Sequence, residues 1–253
     1  MTCTQAVLSL LLISPCSDGG GQNTDLAISE ALANPARPES DRAKDELRRP
    51  DEVLAFFEIR PGMTVLDLFS GGGYYAEILS GVVGPEGKVL AQNNDAYLSF
   101  AGEELATRYA DDRLDNVSRV TAEADDLELP PATFDAALAS LTWHDFYYAH
   151  PDDGWMAIDE RLLIEKLCAA LKPGAVLGVI DHVAAPGSDP VETGQNLHRV
   201  DPARIRADLA GSCFEFEGES NVLRNSSDDH TKSSFDPSVR GKTDQVVLKF
   251  RRK

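Results

Sequence analysis

The sequence is poor in basic residues, which argues against a nucleic-acid partner. It contains 24 Lys and Arg against 42 Asp and Glu, for a formal net charge of -18. A protein that neutralises backbone phosphates needs clustered Lys and Arg. We therefore expect no nucleic acid among its partners.

Closely spaced metal ligands are also lacking. The four cysteines show no CxxC pair and no zinc-site spacing, and no two histidines stand at i, i+4 or a similarly tight spacing. No metal site is therefore predicted. Cys168 lies in a helical pattern and Cys213 precedes a strand, so both are interpreted as core residues.

Long apolar runs are absent as well. The run Ala6–Ile13 is too short to span a bilayer but suits the core of a signal peptide. Cys16 and the glycine-rich Ser17–Gln22 follow, an order that resembles a bacterial lipoprotein signal, in which the cysteine is lipidated and a flexible tether follows. Pro15 and the lack of Lys or Arg before the run depart from that pattern. The alternative is a disordered or mis-started N-terminus.

The expected cellular location of the protein depends on whether this segment is a signal. A genuine signal predicts an exported, periplasmic or membrane-anchored protein, with membrane association only through an N-terminal lipid anchor. Without it, the protein is predicted to be cytoplasmic.

The sequence is rich in information at Val65–Leu79, VLDLFSGGGYYAEIL. An apolar stretch carries a carboxylate at Asp67, passes through three glycines from Gly71 to Gly73, and resumes with a helical pattern. This predicts a strand, a glycine turn and a helix. Glycines there allow a sharp bend and let backbone N–H groups approach a ligand. The alternative is a glycine turn that binds nothing.

Strand and helix patterns alternate along the rest of the chain. Further strands are predicted at Lys88–Gln92, Arg119–Ala122, Phe134–Ser140 and Ala175–Ile180, helices at Asp95–Tyr109, Trp155–Leu171 and Asp201–Ala210, and a closing strand pair at Cys213–Phe216 and Gln245–Phe250. This order predicts an α/β fold. We expect a doubly wound, mostly parallel seven-stranded sheet with helices on both faces and a closing antiparallel pair.

The chain length suits one large domain preceded by a shorter segment. Residues 1–22 are the candidate signal segment, residues 23–49 an N-terminal linker and cover helix, and residues 50–253 the main domain. Two short helices are predicted between Asn34 and Ile59, broken at Pro50, with Asp51 capping the second.

Taken in order, four segments resemble the class I S-adenosylmethionine-dependent methyltransferases. They are VLDLFSGGG, GKVLAQNN, AEADDLELP before FDAALAS, and LKPGAVLGVIDH. The resemblance covers roughly residues 50–250. It implies a Rossmann-like methyltransferase fold and S-adenosyl-L-methionine as cofactor.

The resemblance also implies binding residues. The glycine turn would hold the methionine part of the cofactor through Asp67, Gly71 and Gly73. Asn93, at the end of the second strand, would hold the ribose. An acid after the third strand, Asp125 or Asp126, would hold the adenine amine.

Two positions depart from the family pattern. Phe69 stands where the first glycine usually lies, and Asn93 replaces a carboxylate, so its bond to the ribose would be uncharged. NAD is disfavoured because Ala76 stands at the third glycine position of GxGxxG and no acid ends the second strand.

The substrate side is predicted at the ends of the fourth and fifth strands. His144, Asp145 and His182 are the catalytic candidates, because neighbouring strand ends converge and a histidine of near-neutral pKa can remove a proton. Trp143, Tyr147, His198 and Arg199 are the candidate substrate residues. Any of these histidines could instead cap strands, and the aromatic residues could be packing.

These observations favour a methyltransferase acting on a small molecule, with transfer to oxygen ahead of transfer to carbon or nitrogen. The alternative is a binding protein that retains the fold without methyl transfer, because an exported protein would meet little S-adenosylmethionine. The sequence does not indicate an oligomeric state.

Overall fold

The computed structural model describes residues 19–253, so the candidate signal run, Cys3 and Cys16 lie outside the described residues. Eight helices occur in the described part: α1 Gly19–Ala33, α2 Glu39–Arg48, α3 Pro50–Phe56, α4 Tyr74–Val83, α5 Asp95–Arg108, α6 Glu160–Ala170, α7 Pro190–Leu197 and α8 Pro202–Leu209. The seven strands are β1 Thr64–Leu68, β2 Lys88–Asn93, β3 Val117–Thr121, β4 Phe134–Ser140, β5 Leu171–His182, β6 Phe214–Ser220 and β7 Gln245–Arg252.

All strands form one sheet in the order β3-β2-β1-β4-β5-β7-β6. The first five strands are parallel, and β7 runs antiparallel to both β5 and β6. The predicted doubly wound sheet with a closing antiparallel pair is confirmed. The chain order reverses between β1 and β4, and the carboxyl ends of strands flanking such a point form a crevice.

Strand alternation builds two hydrophobic cores, one on each face of the sheet. On β1, Leu66 and Leu68 face the core that includes α6 and α8, whereas Val65 faces the core that includes α1, α3 and α4. Successive strand residues point to opposite faces, so an apolar run is buried on both sides. Among residues 19–253, no helix combines the length and apolarity needed to cross a bilayer.

The N-terminal helices pack on the domain. Ile28 and Ala31 of α1 are buried, and a Cβ at Gly81 of α4 would lie 2.8 Å from the Ala31 Cβ atom. Only glycine allows this close approach. Gly19 to Gln22, expected as a flexible tether, instead form the start of α1.

Two helix predictions needed correction. Asp51 does not cap α3, because Pro50 is the first helical residue and Asp51 lies within the first turn. The helix expected at Trp155 begins at Glu160, where the Asp159 side chain accepts a hydrogen bond from the Leu162 N–H. Helix α7, which the sequence analysis missed, is likewise capped by Asp189.

Cys168 and Cys213, interpreted as core residues, do pack against the hydrophobic core, and they also form a disulfide that was not predicted. The bond joins α6 to the residue before β6. The two residues are 45 positions apart, so the pairing depends on the fold and not on any local motif.

Candidate active site

A cavity of about 590 Å³ lies at the carboxyl ends of β1, β4 and β5. Its wall consists of the glycine turn, the end of β4, two residues of the 3₁₀ turn Trp143–Tyr147, His144 and Asp145, and His182. Residues of α2, α5 and the loop between β6 and β7 complete it. Its volume is in the range of small-molecule sites.

Glycine is needed at two positions of the turn for different reasons. Gly71 (φ 58°) and Gly73 (φ 83°) both adopt left-handed backbone conformations. A Cβ at Gly73 would lie 2.7 Å from the Arg108 Cδ atom, so this glycine serves packing. A Cβ at Gly71 would meet nothing closer than the Tyr97 ring at 4.0 Å. Gly71 and Tyr97 both line the cavity, so the space beside Gly71 is part of it.

Phe69 occupies the first position of the turn in a left-handed conformation (φ 49°). Such a backbone is strained for a bulky residue, and its persistence requires support from the surroundings. The Phe69 ring is buried and stacks on Tyr97 at a centroid distance of 5.0 Å.

Asn93 supports the glycine turn from below. Its Oδ1 accepts a hydrogen bond from the Gly71 N–H at 2.8 Å, and its Nδ2 donates to the Gly71 carbonyl at 3.0 Å. Only an amide supplies both groups, which gives a physical reason for the departure from a carboxylate. Asn93 does not line the cavity, so its contact with ribose stays a prediction.

Asp67 also supports the turn and does not line the cavity. Its Oδ2 accepts a hydrogen bond from the Ser70 hydroxyl at 2.6 Å. Burial raises the pKa of Asp67 to about 7, against the opposing effect of hydrogen bonds from Ser70 and the Ala76 N–H.

The acids predicted to hold adenine lie outside the cavity. The Asp125 Oδ2 atom accepts a hydrogen bond from the Asp159 N–H at 2.8 Å, next to the start of α6, and Asp126 is exposed. The cavity wall on the side of α5 is instead aromatic, with Tyr97, Phe100 and Trp155. Neither acid lines the cavity, and their contact with adenine stays a prediction.

The catalytic candidates do converge on the cavity. His144 is buried, with its Nδ1 atom 2.7 Å from Asp181 Oδ1 and its Nε2 atom 3.3 Å from Asp145 Oδ1. The rings of His182 and His198 lie 6.0 and 5.5 Å from the His144 ring. All of these residues except Asp181 line the cavity.

The three histidines differ in charge. Burial disfavours the charged form of His144, but Asp181 and Asp145 outweigh it and raise its pKa to about 9. Burial lowers the pKa of His182 to about 3 and that of His198 to about 4, and the neighbouring His144 adds to both shifts. Among these three, none has the near-neutral pKa expected of a general base.

The carboxyl groups around His144 are also perturbed. Burial raises the pKa of Asp145, whereas the pKa of Asp181 is lowered because His144 outweighs the effect of burial. The Tyr97 hydroxyl donates to Asp145 Oδ2 at 2.5 Å.

Three candidate substrate residues do not line the cavity. The Trp143 indole N–H and the Tyr147 hydroxyl both donate to Asp208 Oδ2 on α8, at 3.0 and 2.5 Å. Arg199 is fully buried, and its guanidinium pairs with the Asp228 carboxylate at 2.7 Å. These three residues are not brought to the cavity because each polar group is bonded inside the protein, and their role towards a substrate stays a prediction.

Several cavity residues were not found from the sequence. Thr142, at the end of β4, has a buried hydroxyl that finds no hydrogen-bond partner among the described residues. Lys44 and Arg48 come from α2, and Phe235 and Arg240 come from the loop before β7. Of these residues only Thr142 carried a signal, because it lies two residues after the end of β4.

Comparison with known proteins agrees with the fold. The family profile of protein-L-isoaspartate(D-aspartate) O-methyltransferase matches residues 50–126. A ubiquinone/menaquinone biosynthesis C-methyltransferase UbiE from Pasteurella multocida is 30% identical over 141 residues, covering 55% of this chain and 47% of that protein. The chain thus spans about half the length of the curated relatives it matches.

Solved structures extend the likeness over nearly the whole chain. A SAM-dependent methyltransferase from Aquifex aeolicus superposes with a TM-score of 0.59 at 22% identity, covering 90% of this chain and 98% of that one. The cyclase SpnF superposes with a TM-score of 0.53 at 17% identity, covering 92% and 94%. At such identities the likeness concerns the fold, which proteins of different named activities share.

Proposed function

We propose that this chain, which has the Rossmann-like fold of the class I methyltransferases, is an S-adenosylmethionine-dependent methyltransferase acting on a small molecule. One observation carries the proposal most directly. Gly71 of the glycine turn lines the same cavity as the three histidines His144, His182 and His198. The fold therefore brings a glycine turn, of the kind that binds nucleotides in α/β proteins, next to groups that can orient an acceptor.

The amino-acid end of the cofactor fits the turn. Gly71 and Gly72 line the cavity, and no side chain at Gly71 blocks approach to its backbone. Lys44 and Arg48 of α2 line the same cavity. Lys44 is paired with Asp41 at 2.8 Å, so Arg48 is the residue that would offer positive charge to a carboxylate.

The purine end would lie against aromatic side chains. Tyr97, Phe100 and Trp155 line the cavity and contact one another, with centroid distances of 5.2 to 6.4 Å. Flat aromatic surfaces accept a flat heterocycle by stacking. This arrangement would replace the acids predicted for adenine.

The acceptor would lie between the turn and the histidines. The bound cofactor would supply an electrophilic methyl group. This chain's own residues would orient the acceptor, and the unpaired Thr142 hydroxyl is available for a polar group. Phe100 and Phe235 line the cavity although their side chains are 64% and 58% exposed, which favours an aromatic or lipid-like acceptor.

We retain oxygen as the favoured acceptor atom. The matched profile names an O-methyltransferase, whereas the curated relatives are named as C-methyltransferases. A single-turnover assay with phenolic and carboxylic acceptors, with product analysis by mass spectrometry, separates the two.

Calorimetric titration with S-adenosylmethionine and S-adenosylhomocysteine tests the proposal. Gly71→Ala should weaken binding at least tenfold, because its methyl group would stand between the turn and Tyr97. Gly62→Ala is the matched control, since Gly62 is also left-handed (φ 81°) and nothing lies within 4 Å of its Cβ position. Both substitutions carry a similar backbone penalty of about 1 kcal/mol.

Equal affinities for both variants would contradict the placement of the cofactor at the turn. No binding of either ligand to the wild-type protein would favour the second candidate, a ligand-binding protein that retains this fold. The likeness to the cyclase SpnF is the observation that supports considering it.

We also propose that the protein is exported, in which case either S-adenosylmethionine must be supplied to it or its ligand is a different one. The Cys168–Cys213 disulfide supports this location, because such bonds persist in oxidising compartments and are rare in the cytosol. Fractionation of bacteria producing the full chain, with Cys16→Ser as the comparison, tests it. Wild type in the membrane fraction and the variant released from it are expected; both in the cytoplasm would contradict the proposal.

A further inference from the structure

One group of side chains in the cavity has the composition of a metal site. His144, Asp145 and His198 each offer one ligand atom, and the three atoms lie within 4.8 Å of one another. All three residues line the cavity, so an ion among them would keep a side open to it. We call these three residues the histidine triad.

The ligand atom of His144 is oriented by its neighbour. The Asp181 carboxylate contacts the imidazole Nδ1 atom at 2.7 Å and also accepts the His144 backbone N–H at 3.0 Å. This leaves Nε2 directed towards Asp145, at 3.3 Å. Metal-binding histidines typically use their second nitrogen in this way, with a carboxylate that fixes the ring.

Asp145 shows the same arrangement. The Tyr97 hydroxyl donates to its Oδ2 atom at 2.5 Å, whereas Oδ1 is the atom nearest to His144. One carboxylate oxygen is thus held by the protein, and the other belongs to the triad. Such outer partners are a regular feature of carboxylate ligands.

His198 completes the triad from a different element. It follows α7 in a left-handed conformation (φ 51°), a backbone state that is uncommon for a residue with a side chain. Its ring packs on Phe235 and Tyr148 at centroid distances of 4.6 and 5.0 Å. The fold therefore holds this imidazole against the cavity at an energetic cost, as is common at functional sites.

We propose that the histidine triad binds one divalent transition-metal ion, with Zn²⁺ as the first candidate. Two imidazoles and one carboxylate favour such an ion over Mg²⁺ or Ca²⁺, which prefer oxygen ligands. Ligand atoms around tetrahedral zinc lie about 3.4 Å apart, so side-chain shifts of about 1 Å bring atoms that lie within 4.8 Å of one another to that spacing. The remaining position faces the cavity.

The ion would have a defined use in the reaction proposed above. An acceptor oxygen that fills the open position would lose its proton more readily beside a cation. This use depends on the proposed function, whereas metal binding by the triad does not.

Metal binding is tested on the full chain, produced without a polyhistidine tag and stripped with a chelator. Titration with Zn²⁺, and with Co²⁺ followed by visible absorption, should give one ion per chain and a tetrahedral cobalt spectrum. His198→Gln and Asp145→Asn should each weaken binding at least tenfold. His230→Gln should not, although the His230 Nε2 atom also lies 3.1 Å from an aspartate, Asp244.

The melting temperature of each stripped variant separates loss of a ligand from loss of the fold. Absence of stoichiometric binding, or equal binding by the wild type and both triad variants, would overturn the proposal. Because these titrations contain no S-adenosylmethionine, their outcome is independent of whether the protein transfers a methyl group.

Discussion

Residues that are adjacent in the sequence have opposite roles in two regions around the cavity. His144 and His198 face the cavity, whereas the adjacent Trp143 and Arg199 face inwards, where they bond to Asp208 and Asp228. We call Asn93, Trp143, Tyr147 and Arg199 the supporting layer, because their polar groups bond to the protein and they do not line the cavity.

The two regions differ in whether their polar groups are already hydrogen-bonded within the protein. The Arg199 guanidinium donates to the Val183 and Lys232 carbonyls and to the Asp228 carboxylate, which satisfies it inside the protein. Across the cavity wall, the Thr142 hydroxyl has no partner among the described residues. Buried polar groups are normally paired, so the Thr142 hydroxyl at the cavity wall is available to a ligand.

Arg199→Met tests the comparison with the largest expected effect. It would leave the Asp228 carboxylate, whose side chain is 1% exposed, without its cation. Breaking a buried ion pair from one side costs about 3–5 kcal/mol of unfolding free energy, measured by urea denaturation.

Arg206→Met is the matched control for this loss. Arg206 pairs with Glu219 at the surface, where its side chain is 41% exposed, so the expected cost is below about 1 kcal/mol. Similar losses for both variants would contradict the assignment of Arg199 to the supporting layer.

Asn93→Asp has the next largest expected effect. A carboxylate cannot donate to the Gly71 carbonyl that the amide now contacts at 3.0 Å, and it would face that oxygen with a negative charge. We expect a loss of about 1–3 kcal/mol in the absence of cofactor, measured by urea denaturation.

Asn225→Asp serves as the control, because the Nδ2 atom of the half-buried Asn225 also donates to a carbonyl, that of Lys242. Its effect should stay within about 0.5 kcal/mol. Unchanged stability of Asn93→Asp together with tighter cofactor binding would instead favour the original ribose prediction.

The comparison of Tyr147→Phe with Tyr148→Phe has the smallest expected effect on stability. Tyr147 donates to Asp208 and receives a hydrogen bond from Arg204 at 2.9 Å, so its variant should lose about 1 kcal/mol in thermal unfolding. Tyr148 lines the cavity, and its variant should change stability by less than about 0.5 kcal/mol. The reverse order would exchange the two assignments.

Much of the fold was predictable because local patterns determine it. The strand at Phe134–Ser140 was predicted to the residue, since a short apolar run between polar segments has few alternatives. Helix α7 was missed because its eight residues carry no long periodic pattern, although Asp189 and Pro190 form a recognisable start. The start of α6 was placed too early because Asp159 was not recognised as the residue that caps it.

The site was predictable only in part. Strand ends indicated that His144, Asp145 and His182 would meet, because parallel strands finish at one edge of the sheet. The family resemblance placed Asn93 and Asp125 at the site as well, and it did not indicate that the backbone groups of Gly71 and Asp159 would bond to their side chains.

The sequence by itself determined the alternation of strands and helices, the glycine turn and the strand ends that border the cavity. These depend on periodicity and on backbone freedom, which short segments carry on their own. Only the tertiary structure decided which way each side chain faces and what it pairs with. His144 meets Asp181 across 37 residues, and Cys168 meets Cys213 across 45. Such contacts depend on the packing of whole elements, which no local pattern encodes.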